Sequence, residues 1–116
     1  LPGGMPGAAN LRDSNKLRNI IKKLNEENKL CAAICAAPIV FEAAGILDGR
    51  KATSYPGYDK DMTSCNYQED RVVIDGNLIT GRGAGVAVEF AMTLVEYLLD
   101  KETKEELQKS MLVKSN

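Results

Sequence analysis

A chain of 116 residues with 44% apolar content is long enough for one domain with a real core. Its net charge of −1 steers it toward neither nucleic acid nor an anionic membrane, and no apolar run approaches the length of a membrane span. The sequence has no histidine, which excludes a Cys-His or Ser-His-Asp apparatus built from these residues and leaves no expectation of a metal site; three irregularly placed cysteines, Cys31, Cys35 and Cys65, point to a reducing compartment rather than a disulfide framework.

The opening Leu1-Pro2-Gly3-Gly4 reads as the end of a strand running into a glycine turn. With no initiator methionine, residues 1–116 are expected to be one domain forming the C-terminal portion of a longer protein. Gly3, Gly4, Pro6 and Gly7 make a loop whose backbone can approach a ligand or another chain closely. Asp13 or Ser14 is placed to cap a helix carrying Leu17, Ile20, Ile21 and Leu24 on one face. Polar residues 25–29 end it. Leu30 to Ile34 is a short, continuously apolar run, as expected of a strand covered on both faces.

Cys35 stands where that strand gives way to Ala36-Ala37-Pro38 and a helical pattern from Ile39 to Ala44. Pro38 suits the first helical turn, and Gly45 supplies a stop. A sharp strand-to-helix turn puts its residue on the rim of the sheet and demands small neighbours. The free N–H groups and positive end of the helix favour an anion there, so Cys35 is expected to be a reactive thiolate in a strained backbone conformation.

Arg50 to Tyr55 suggests a short strand, closed by Pro56-Gly57. The runs Arg71 to Ile74 and Asn77 to Thr80 flank Asp75-Gly76, a hairpin pattern. Gly81-Arg82-Gly83-Ala84-Gly85 leads into a long helix through Leu99, with Ala87, Phe90, Ala91, Leu94 and Leu98 expected to face inward. Thr103 and Glu106 have capping-box spacing for a terminal helix. Cys31 reads as a core residue, and Cys65, in the polar stretch from Thr63 to Asp70, as an exposed bystander. Alternation of helix and strand makes the class α/β, a sheet between helices. The glycine-rich turn lacks the spacing of a dinucleotide loop.

Three blocks together resemble the ThiJ/PfpI superfamily, in its DJ-one-like branch. They are Leu1-Pro2-Gly3-Gly4, the turn Ala32-Ala33-Ile34-Cys35-Ala36-Ala37-Pro38, and Thr80-Gly81-Arg82-Gly83-Ala84-Gly85 with Glu89-Phe90-Ala91. The resemblance runs over nearly the whole chain in one order. It implies a flavodoxin-like (class I glutamine amidotransferase-like) three-layer sandwich with a mostly parallel sheet and a nucleophile elbow. It further implies a homodimer without cofactor, here read as cytoplasmic, and a chain lacking the family's N-terminal strands and the helix bearing its site glutamate.

The resemblance makes Cys35 the nucleophile. It assigns the backbone N–H groups of Gly4 and Ala36, beside Gly3, to an oxyanion pocket. Tyr55 falls where many relatives place a histidine, and Ala84 where relatives often have proline. Arg82 either holds a substrate carboxylate or phosphate or ties down its turn. The proteolytic branch has histidine directly after the cysteine; here that residue is Ala36, so peptidase activity is not expected. What the resemblance implies is a glutathione-independent glyoxalase or deglycase acting on small carbonyls such as methylglyoxal through a hemithioacetal at Cys35. The alternative is a redox-sensing or chaperone-like stress protein that works by oxidation of Cys35.

Overall fold

The order of small and large apolar residues in Cys31-Ala32-Ala33-Ile34 decides how the layers meet. The computed structural model describes residues 1–114, and in it these four residues form strand β1 (Cys31–Ile34). Cys31 and Ala33 point into one layer, while Ile34 points toward the other. The first layer holds helices α1 (Gly7–Arg12), α2 (Asn15–Glu26) and α3 (Pro38–Ala43). Its core gathers Ala8, Ile21, Ile39, Val40, Phe41 and Leu47 around β1. Burying Phe41, 2% exposed, contributes roughly 2–3 kcal/mol.

The main sheet has the order β1-β5-β4, with β4 (Val72–Asp75) and β5 (Leu78–Gly81). β5 runs parallel to β1, with Cys31 opposite Leu78 and Ile34 opposite Gly81, and antiparallel to β4. On the second face, α4 (Ala87–Leu98) brings Phe90 against Gly81 so tightly that a Cβ there would lie 3.0 Å from the ring. The chain therefore has the α/β, helix-flanked architecture of the flavodoxin-like fold, with a mixed sheet. At the outer edge of β1, Leu1 continues the parallel pattern: its N–H donates to Ala32 O (2.7 Å) and its carbonyl accepts from Ile34 N–H (3.3 Å). No helix among the described residues is long and apolar enough to cross a membrane.

Several expectations are corrected. The glycine loop at the start runs into the unforeseen helix α1, so Asp13 closes α1 and Ser14 caps α2, its Oγ accepting from Leu17 N–H at 3.2 Å. Of the strand expected over 50–55, only β2 (Lys51–Ala52) is laddered, in parallel with β3 (Asn66–Tyr67). Beyond it the segment leaves the ladder, because Thr53 N–H bonds the Thr80 hydroxyl (2.9 Å) and Tyr55 N–H bonds Cys35 O (2.8 Å). The hairpin turn is shifted by one, to Gly76-Asn77 with Gly76 at φ +58. The reason is tertiary: the Asp75 carboxylate accepts from Lys51 N–H at 2.8 Å and the Asn77 amide donates to Lys29 O at 2.9 Å.

Helix α4 buries Phe90 and Met92, whereas Ala87, Ala91 and Leu98 are exposed and Leu94 is half-buried. Helix α5 (Lys101–Ser110) folds back along α4, with Lys104 and Glu96 paired at 3.0 Å, and covers the Met92 side instead. The cap of α5 is Asp100, which accepts from Thr103 N–H at 2.7 Å, so Thr103 lies inside the first turn rather than at the cap.

Candidate active site

β1 ends at Ile34 and α3 begins at Pro38, leaving Cys35 on a turn between them. Its backbone has φ +63, a left-handed conformation that a non-glycine residue adopts only when its surroundings enforce it. Two hydrogen bonds do so: Cys35 N–H donates to Gly81 O at 2.9 Å, and Cys35 O accepts from Tyr55 N–H at 2.8 Å. The thiol is half-buried, and among the described residues it hydrogen-bonds no carboxylate.

Gly3 packs directly against this turn. A Cβ built there would lie 2.6 Å from Cys35 Cβ and 2.8 Å from Ile34 O, so no side chain fits. Gly4 follows at φ +88, and its carbonyl accepts from Ala8 N–H at 2.8 Å to start α1. The N–H groups of Gly4 and Ala36 have no protein acceptor among the described residues, although Ala36 is only 2% exposed. An unpaired N–H on so buried a residue is costly unless an anion or water meets it.

Tyr55 is 51% exposed, with its ring against Gly83 and edge-on to Tyr58 (6.4 Å between centroids). Together with Pro56, Arg82, Ala84 and Val86 it lines a shallow, mostly apolar depression of about 370 Å³. Arg82 donates Nε–H to Ser54 O (3.1 Å) and Nη1–H to Glu69 O (3.3 Å). The fold thus brings Gly3, Ala36 and Tyr55 to Cys35, with Gly4 one residue further and Arg82 joined through Ser54. Sequence reasoning missed three contributors: Gly81, whose carbonyl anchors Cys35, and Ser54 and Tyr67, whose side chains share a hydrogen bond of 2.9 Å. Gly81 lay in the glycine block already singled out. Ser54 and Tyr67 carry no local pattern, since they meet only through the fold.

The other thiols differ. Burial pushes the Cys31 thiol up, with Arg50 opposing. Cys65 is half-buried against the core rather than exposed, donating to Met62 O at 3.2 Å, and burial followed by the neighbouring Glu42 carboxylate raises it. Among the described residues no group of three or more His, Cys, Asp or Glu is disposed to hold a metal ion.

The model of the DJ-1/PfpI family matches residues 1–97. Protein DJ-1 homolog B of Arabidopsis thaliana is 46% identical over 97% of this chain and 26% of its own length. Glutathione-independent glyoxalase DJR-1.2 of Caenorhabditis elegans is 37% identical over 96% of this chain and 60% of its own length. Among solved structures, Drosophila melanogaster DJ-1beta superposes with a TM-score of 0.93 at 38% identity, covering 97% of this chain and 62% of that one. Oxidized Toxoplasma gondii DJ-1 superposes at 0.86 and 37% identity, covering 95% and 60%. The chain spans less than two-thirds of the length of each of these relatives.

Proposed function

The chain belongs to the DJ-1/PfpI family, and from that premise we propose that Cys35 is the nucleophile of a cofactor-free enzyme acting on small reactive carbonyls. The observation that carries the reading is the pair of N–H groups, on Gly4 and Ala36, without an acceptor among the described residues, beside a cysteine held in a left-handed backbone conformation. The relative named a glutathione-independent glyoxalase supports it.

In this reading the Cys35 thiolate attacks the aldehyde carbon of methylglyoxal, and the carbonyl π pair moves onto oxygen as a hemithioacetal alkoxide. Donors waiting at that oxygen are worth ~3 kcal/mol each. The aldehyde C–H proton passes to the neighbouring ketone carbon, leaving a lactyl thioester, and water releases lactate and the thiol. The oxidation at one carbon balances the reduction at the other, so no external redox partner is needed. The proton carrier is the family's glutamate, which would lie outside these 116 residues. We read these residues as one domain of the fold, working as a homodimer in the reducing cytoplasm.

The intact protein is expected to convert methylglyoxal to lactate without glutathione or metal, followed by lactate release. Cys35→Ser should abolish turnover, because a hydroxyl without a base is a poor nucleophile. Tyr55→Phe should reduce it less, since a phenol orients substrate but accepts no proton near neutrality. A relative whose structure is described as oxidized favours the second reading, in which Cys35 senses peroxide. Absence of carbonyl turnover with clean conversion of Cys35 to sulfinate would select that reading.

A further inference from the structure

The backbone of Cys35 is clamped between two segments distant in sequence. The end of β5 supplies Gly81 O, and the segment after β2 supplies Tyr55 N–H. Two side chains join these two arms, and the first is Thr80, whose hydroxyl accepts from Thr53 N–H at 2.9 Å. The second, Arg82, next after Gly81, donates Nε–H to the carbonyl of Ser54, the residue before Tyr55, at 3.1 Å. Its Nη1–H reaches Glu69 O at 3.3 Å, in the segment between β3 and β4. Tyr67 reinforces the same point, its hydroxyl donating to Ser54 O at 3.2 Å.

We propose that Arg82 is a positioning residue whose guanidinium cross-ties the two arms holding the Cys35 backbone, keeping the thiol where its chemistry requires it. Ser54 is fully buried, so its carbonyl depends on these donors. A planar guanidinium holds its donors in a rigid fork that serves two carbonyls in fixed directions, whereas the donors of an ammonium rotate on a flexible stem. The Nε–H and Nη1–H bonds to Ser54 and Glu69 hold backbone carbonyls of the fold, so these two donors serve the turn rather than a ligand. The proposal rests on the reading of Cys35 as the reactive thiol, though not on any particular substrate.

The test is alkylation of the intact protein by iodoacetamide at neutral pH, with Cys35 and Cys65 followed by peptide mass in the same sample. Arg82→Met should slow Cys35 about ten-fold, the loss expected for one hydrogen bond to a charged group, and leave Cys65 unchanged. Arg82→Lys should recover part of the rate, and Tyr67→Phe should slow Cys35 about three-fold. With methylglyoxal, Arg82→Met should lower kcat while KM stays within about two-fold. Cys35 alkylation within about two-fold of wild type in Arg82→Met, or a raised KM at unchanged kcat, would overturn the proposal. If Arg82→Met does not fold, wild-type alkylation rates in both Arg82→Lys and Tyr67→Phe overturn it. Slowed alkylation in a protein that turns over no carbonyl keeps the positioning role and removes the enzyme reading instead.

Discussion

One methyl group at Gly3 is the sharpest probe of the site. Its position 2.6 Å from Cys35 Cβ forces the turn apart, so Gly3→Ala should cost about 1–3 kcal/mol in denaturant unfolding and depress Cys35 alkylation. Gly85→Ala meets nothing within 4 Å and should stay within about 0.5 kcal/mol of wild type. Wild-type labelling should proceed at Cys35 first, because burial raises the Cys31 and Cys65 thiols and so lowers their thiolate fraction. Initial labelling of Cys65 would remove the reactive-thiol argument. Those two raised thiols also give a pH signature. The folded chain binds their protons more tightly than the unfolded chain, so their contribution is full below the ordinary thiol range and lost as pH rises through the raised values. A thermal melt series should show declining Tm above about pH 8.5 that is reduced in Cys65→Ala.

At the scale of elements, the two capped helices are separable. Ser14→Ala removes the acceptor of Leu17 N–H and should destabilise the fold by about 1 kcal/mol. At α5, the hydrogen bond from Thr103 lowers the Asp100 carboxyl, which is fully exposed. The cap is therefore in place above the ordinary Asp range and fails as pH falls through the depressed value. The Thr103 amide resonance should titrate with a midpoint below about 3.9, and an ordinary midpoint would deny the cap. β1, α3 and the β4–β5 hairpin were legible because period, proline and glycine act locally there. The cap at Asp100 was misplaced because Thr103 and Glu106 offered the same spacing three residues later.

For the whole molecule, the intact protein is expected to sediment as a homodimer at micromolar concentration. A monomer would count against the assembly carried over from the family. Leu98 and Leu99, at 63% and 66% exposure on the end of α4, are the kind of apolar surface that association covers. The Gly83–Gly85 turn lies beside Tyr55 on the wall of the open depression.

What residues 30–45 and the glycine blocks determined alone was the α/β class, the turn at Cys35 and the demand for small neighbours. Those follow from local sterics and from the alternation of apolar residues, which are written in adjacent positions. The pairing of Gly81 and Tyr55 with the Cys35 backbone, the binding of Arg82 to Ser54 and the burial of Cys65 were decided only by tertiary structure. Each joins segments separated by more than ten residues, and nothing local in a sequence specifies which distant carbonyl a donor will meet.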